Sequence, residues 1–288
     1  MNTTDTSLAR NSLPSIDTRQ PIEAPTACAP YAVGDGITVL PAYLPVPGMG
    51  VLPAHAFHID GPESMLVDAG PCGAEDGFCR ALAEVADPTT LRWLWLTHTD
   101  PDHVGSLRWL LDVAPRLTVI TTYLAVGKLS MTGPLPMDRL WWVNPGTTVE
   151  LNDRPFTAVR PPSFDAPETT ACFDSTSRTL FSADSFGALL QEPTAEAGDI
   201  VVRDLAAGMY LWSTIDSPWL THTDRGHFER ALTDLEALGT RRVLSSHLPP
   251  AHGLTRQLLE HLATVPGASP WVGPDQVALE QMLASVGG

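Results

Sequence analysis

His98-Thr99-Asp100-Pro101-Asp102-His103 sets four potential metal ligands in one short turn. The turn follows the apolar run Trp93-Leu94-Trp95-Leu96 and precedes Val104, Leu107, Leu110 and Leu111, which repeat at helical spacing. A strand ending at Thr97 and a helix starting near His103 would fix the loop backbone at both ends, so its side chains can converge with little ordering cost. His98 and Asp100, two apart on extended backbone, project to one side, whereas Asp102 and His103 diverge from them and can serve a second ion. The spacing suggests two metals.

Outward from this turn, short strands and helices alternate. Ile37 to Leu40, Ala56 to Ile59 and Met65 to Asp68 read as strands, followed by a helix from Ala74 to Val85. The strand at 93 to 96, a helix over 104 to 113 and the strand Leu117 to Thr121 continue the pattern. β-like segments follow near 140 to 143, 147 to 151, 155 to 160, 170 to 174 and 178 to 182. Asp224 reads as the N-cap of a helix whose Phe228, Ala231, Leu232, Leu235 and Leu238 form one face and which stops at Gly239. Arg241 to Ser245 reads as a last strand and Leu254 to Ala263 as a helix. Helices at both ends around a β-rich middle predict an α/β fold, a four-layer αββα sandwich of two face-to-face sheets with helices outside.

Composition narrows the function classes. The 288 residues, 43% of them hydrophobic, suffice for one large core. A formal charge of −16 argues against nucleic acid or an anionic membrane surface as partner, because the long-range field repels phosphate. Apolar runs are too short to span a bilayer. Residues 1–30 read as a polar, disordered leader without a signal-peptide core, and 31–288 as one dimetal domain; a cytoplasmic location is expected. Cys28, Cys72, Cys79 and Cys172 form no C-x-x-C pair and are expected to be reduced thiols.

Two ions need about four protein ligands each, some shared, so further His or Asp residues should stand at strand ends downstream. Asp165 lies in the loop after Phe156 to Arg160, Asp184 terminates Leu180-Phe181-Ser182-Ala183, and His247 ends Val243-Leu244-Ser245-Ser246. The carboxylate of Asp184 is placed to bridge both ions. Asp68 closes a strand before Ala69-Gly70 and is expected to orient the metal loop by hydrogen bonding.

These anchors resemble the metallo-β-lactamase superfamily, and within it the oxygen-binding di-iron branch that includes the catalytic domain of flavodiiron proteins. The resemblance runs over roughly residues 35 to 265 and rests on Leu66-Val67-Asp68-Ala69-Gly70, the His98 to His103 turn, Leu180 to Gly187 and Ser246-His247-Leu248-Pro249. The hydrolase pattern is H-x-H-x-D-H and the di-iron pattern H-x-E-x-D-H; here Asp100 takes the carboxylate position. The resemblance implies that His98, Asp100 and Asp165 hold one ion, that Asp102, His103 and His247 hold the other, and that Asp184 lies between them. Asp165 departs from the family, which has a His there. Four carboxylates, Asp100, Asp102, Asp165 and Asp184, favour two iron or manganese ions, with zinc as an alternative.

Three readings follow. In the favoured one, a di-iron oxidoreductase binds or activates O2 or a related small oxidant, with Asp184 and Asp100 central to the chemistry. In the second, a dimetal hydrolase cleaves an ester, lactone, thioester or phosphoester; in the third, the chain is an oxygen-binding sensor. The chain shows no flavodoxin-type phosphate loop and no G-x-G-x-x-G, so it is expected to bind no flavin and to take electrons from an external donor. No pattern marks the substrate or the oligomeric state.

Leu220-Thr221-His222-Thr223-Asp224 repeats Leu96 to Asp100, but Gly226 stands where Asp102 stands, so capping by Asp224 is expected rather than a second site. His55, His58, His252 and His261 read as structural; of the histidines outside the motif, His55 and His222 are the first candidates to face a substrate. Trp141, Trp142, Trp212 and Trp219 read as core or lid aromatics.

Overall fold

Alternation along single strands decides the layering. In the computed structural model, which describes residues 23–286, the strand Met65–Val67 sends Met65 and Val67 to one face and Leu66 to the other. Met65 and Val67 meet Phe57, Trp95, Phe156, Cys172 and Phe181 in an apolar layer shared by two sheets. Leu66 joins Phe78, Leu82 and Leu110 from the helices Glu75–Val85 and Leu107–Val113, which cover the first sheet. On the far side, Phe173, Leu180 and Val243 face Leu205, Met209, Phe228 and Leu258 from the helices Val202–Asp216, Arg225–Ala237 and Thr255–Leu262. The expected four-layer αββα sandwich is therefore the observed one. Each buried Phe or Leu in these layers contributes about 1.5–3 kcal/mol.

The first sheet runs, edge to edge, Leu140–Trp142, Thr118–Thr121, Trp93–Trp95, Met65–Val67, Ala56–Ile59, Ile37–Leu40 and Tyr31–Gly34. Its first four strands are parallel and the rest antiparallel. The second sheet runs Thr148–Leu151, Arg154–Val159, Ala171–Asp174, Thr179–Phe181, Arg242–Leu244 and Ala251–His252, with Thr179–Phe181 parallel to Arg242–Leu244. Asp68, His98, Asp184 and His247 all follow the carboxyl ends of parallel strands, where α/β sheets ordinarily leave room for a site.

Several expectations need correction. The single helix over 104 to 113 is two, Pro101–Val104 and Leu107–Val113. The helical ladder breaks there because the backbone N–H groups of Gly105 and Ser106 donate to the Gly70 and Ala69 carbonyls at 2.8 and 3.0 Å, and glycine permits the approach, since a Cβ at Gly105 would lie 2.5 Å from the Pro71 carbonyl carbon. Helices Tyr123–Ser130, Val202–Asp216 and Gln276–Val286, and a small sheet of Thr26–Ala27, Ala42–Val46 and Gly50–Pro53, had no clear signal in the apolar pattern. Of the leader read over 1–30, residues 1–22 lie outside the described residues, and Thr26–Ala27 pairs with Ala42 and Tyr43. The four cysteines are free thiols, and no helix among the described residues is long and apolar enough to cross a membrane.

Candidate metal centre

Each candidate side chain is aimed by a local constraint. Asp100 occupies the N-cap position of Pro101–Val104 with extended backbone, yet its carboxylate makes no cap bond and is left for the site. Pro101, as the first helical residue, favours that extended conformation in the residue before it. Asp184 follows Ala183, whose φ of 54° is left-handed and unusual for a side chain with a Cβ. The carbonyl of Ala183 is held by Ser245 Oγ and the backbone N–H of Ser246, each at 3.0 Å, which ties the Asp184 turn to the His247 turn. A Cβ at Gly187 would lie 2.5 Å from Trp212 Nε1 and 2.7 Å from His247 Cβ, so glycine lets the indole close over that imidazole.

The structure brings all seven expected residues together. Asp184 Oδ1 lies 3.0 Å from His103 Nε2 and 3.1 Å from His247 Nε2, and Oδ2 lies 3.1 Å from His98 Nε2. Asp102 Oδ2 stands 3.5 Å from His103 Nε2 and 3.3 Å from His247 Nε2. One donor atom from each of His98, Asp100 and Asp165 falls within a 4.8 Å circle of mutual distances, and so does one from each of Asp102, His103 and His247. His98 Nε2, His103 Nε2 and Asp184 Oδ1 are buried with no hydrogen-bond partner. Buried polar atoms are normally paired, so three unpaired ones converging on each other fit a site shaped for cations.

The outer ring nitrogens are fixed. Asp68 Oδ2 lies 2.8 Å from His103 Nδ1, and the Asp68 carboxylate also accepts from the backbone N–H and hydroxyl of Thr97 at 2.8–2.9 Å and from Ser246 Oγ at 3.3 Å. His247 Nδ1 donates to the Pro53 carbonyl at 2.6 Å. These bonds present Nε2 of both rings to the centre, the usual device for orienting an imidazole towards a metal.

Burial alone would raise the Asp184 pKa, but His98, His103 and His247 around it hold the carboxyl well below the usual range. Burial likewise opposes charge on His247, yet the neighbouring Asp184 and Asp102 carboxylates push the imidazole up to about 9. Asp165 is pushed the other way, to about 7, by burial and then by Asp184. The Asp184 charge raises the pKa of His98, His103 and His247 and so favours protons on these rings in the metal-free chain.

A pH dependence follows. The His247 contribution to metal-free stability is fully present below its ordinary value of 6.5 and is lost as pH rises through about 9. Metal binding releases the same protons, so affinity rises over that window. The gap in Tm between metal-loaded and chelator-stripped protein is therefore expected to widen from pH 6.5 to 9. Thermal melts across the window check it; a constant gap would mean that protons and metal do not share the imidazoles.

Residues that the motif pattern did not mark complete the surroundings. Glu168, fully buried, accepts from Thr99 Oγ1 at 2.8 Å and pairs with Lys128 Nζ at 2.5 Å, tying the Asp165 loop to the residue before Asp100. Burial would raise its pKa, but the bond from Lys128 holds it below its ordinary value. Asp216 brings a further carboxylate near Asp165 and Asp184, and burial followed by the Asp184 charge pushes it up to about 7. Its only sequence signal is spacing: Gly208, Trp212 and Asp216 recur every four residues on one helical face.

Of the other singled-out residues, Trp212 packs on His247 with ring centroids 4.7 Å apart, as a lid aromatic would. His55 is buried beside Tyr43 with both ring nitrogens unpartnered, and burial lowers its pKa to about 3. His222 is exposed in the turn Pro218–His222. Asp224 accepts from the His227 backbone N–H at 2.8 Å, so the repeated segment serves as a helix cap.

A metallo-β-lactamase-type sandwich with a His- and Asp-rich cluster at its strand ends defines the class. The chain belongs to the family described as "ODP family beta lactamase", whose model matches residues 54–220. It is similar to a putative diflavin flavoprotein, A 3, of Nostoc sp., at 31% identity over 134 residues, 46% of this chain and 23% of that one. A diflavin flavoprotein, A 1, of Synechocystis sp. matches at 29% over 136 residues, 46% of this chain and 23% of its own. The chain thus spans about a quarter of the length of the curated relatives it matches. Among solved structures, the rubredoxin oxygen:oxidoreductase of Desulfovibrio gigas superposes with a TM-score of 0.71 at 17% identity, over 82% of this chain and 61% of that one. A fragment of the putative diflavin flavoprotein A 5 of Nostoc sp. gives 0.70 at 16%, over 85% and 97%. At these identities the superpositions establish the fold.

Proposed function

We propose that the chain is a dimetal oxidoreductase domain with a di-iron centre that reacts with O2 or a related small oxidant, taking electrons from an external donor. His98, Asp100 and Asp165 hold the first ion, Asp102, His103 and His247 the second, and Asp184 is shared. The observation that carries this reading is that His98, His103 and Asp184, whose buried Nε2, Nε2 and Oδ1 atoms lack hydrogen-bond partners, bring ligand atoms within 4.8 Å of one another. The donor chemistry fits: four carboxylates balance two divalent charges, and hard oxygen ligands favour iron or manganese over zinc. A ferrous pair, when bound, supplies electrons to a small oxidant at an open coordination position. The chain's own part is to hold and orient. Asp68 and the Pro53 carbonyl fix the rings of His103 and His247, Glu168 with Lys128 braces the loop beside Asp100, and Trp212 covers His247. The relatives' names, diflavin flavoprotein and rubredoxin oxygen:oxidoreductase, support redox chemistry over hydrolysis.

Protein purified after expression with iron available is expected to carry about two iron or manganese ions per chain. Its anaerobically reduced form is expected to change its visible spectrum on exposure to O2, while metal-free protein does not. Stoichiometric zinc, together with Asp184-dependent cleavage of ester or phosphoester probes and inertness to O2, would replace this reading by that of a dimetal hydrolase.

A further inference from the structure

We propose that Asp216 is an eighth protein ligand, delivered to the first ion by the helix Val202–Asp216, in addition to the seven residues assigned above. The inference rests on the dinuclear reading and extends its ligand set. That helix is docked against the site along one face. At Gly208 a Cβ would lie 2.4 Å from the Leu189 carbonyl oxygen, so only glycine permits the approach. One turn on, Trp212 Nε1 donates to the Asp184 carbonyl at 3.2 Å and its ring lies against His247. Another turn on, Asp216 emerges on the same face, with one carboxylate oxygen within 4.8 Å of one each from Asp165 and Asp184.

A carboxylate at the last residue of a helix opposes the macrodipole, and Asp216 has no basic partner among the described ion pairs. The Ser217 hydroxyl donates to its Oδ2 at 2.8 Å, which leaves Oδ1 for another partner. Three carboxylates at this separation repel one another, and a cation among them relieves that repulsion. The same space is faced by His98 Nε2, fully buried, without a hydrogen-bond partner, 3.1 Å from Asp184 and 3.9 Å from Asp165. An unpaired imidazole nitrogen beside two of these three carboxylates is what a metal position looks like from its ligands.

The first ion then faces Asp100, Asp165, Asp184 and Asp216 with one imidazole, whereas the second faces Asp102 and Asp184 with two. The first site is the harder of the pair and suits Mn(II) or ferrous iron, and the second is the more tolerant of zinc.

The test titrates metal-free full-length chain with Mn(II), read by electron paramagnetic resonance, for wild type, Asp216→Asn and Asp216→Glu. Wild type is expected to bind two ions. Asp216→Asn is expected to keep one at unchanged affinity and weaken the other at least about tenfold. Asp216→Glu is expected to recover part of that loss with an altered line shape. Metal-free Asp216→Asn is expected to melt no lower than metal-free wild type, because it removes repulsion. Two ions bound by Asp216→Asn at wild-type affinity, or a metal-free Tm lowered as much as the loaded one, would overturn the assignment of Asp216 alone. Should Asp216→Asn not fold, a wild-type Mn(II) line shape and affinity in Asp216→Glu overturns it. Fewer than two ions bound by wild type would remove the dinuclear reading, and this inference with it.

Discussion

Asp184→Ala is expected to lose both ions together, with metal content falling from about two per chain to below about 0.5, because the one side chain that faces all three central imidazoles is gone. Either of its oxygens alone lies within 3.1 Å of a histidine nitrogen, so no neighbour can take over both contacts. His98→Ala removes a donor from one half and is expected to weaken that half more than the other. Elemental analysis of both variants beside wild type decides it. Two tightly held ions in Asp184→Ala would show that the bridge is elsewhere.

Asp68→Ala is expected to lower stability by about 3–5 kcal/mol, since it leaves His103 Nδ1 and the Thr97 hydroxyl and N–H buried without acceptors. The backbone adds to this: φ of 62° at Asp68 is tolerated by Asp and costs Ala about 1–2 kcal/mol. Asp68→Asn keeps the conformation and one acceptor oxygen. It is expected to fold and to bind the second ion about 10–100-fold more weakly, because His103 loses the carboxylate that orients it. Denaturant unfolding of the metal-free forms and metal titration separate the two effects. An Asp68→Asn protein with wild-type affinity at both positions would reduce Asp68 to a packing residue.

The sandwich was legible because its strands are short, sharply bounded and alternate cleanly. Met65, Leu66 and Val67 already divide between two apolar layers by parity alone. The small outer sheet is harder to see, because Ala42–Val46 and Gly50–Pro53 carry Pro45 and Pro53 and lack clean alternation. The helix Val202–Asp216 was obscured because its face towards the site is Gly208, Trp212 and Asp216, small, aromatic and acidic, rather than a row of aliphatic residues.

By itself the sequence determined the layer order and the seven residues of the cluster, because strand parity and the crowding of His and Asp at strand ends are local properties of the chain. Only the tertiary structure decided how those residues face one another. Asp68 and His103 are 35 positions apart, and His247 and the Pro53 carbonyl 194, so the bonds that aim each ring come from unrelated stretches. Asp216 belongs to the second category: its spacing from Gly208 and Trp212 marks only a shared helical face, and its place beside Asp165 and Asp184 exists because Gly208 lets the helix approach.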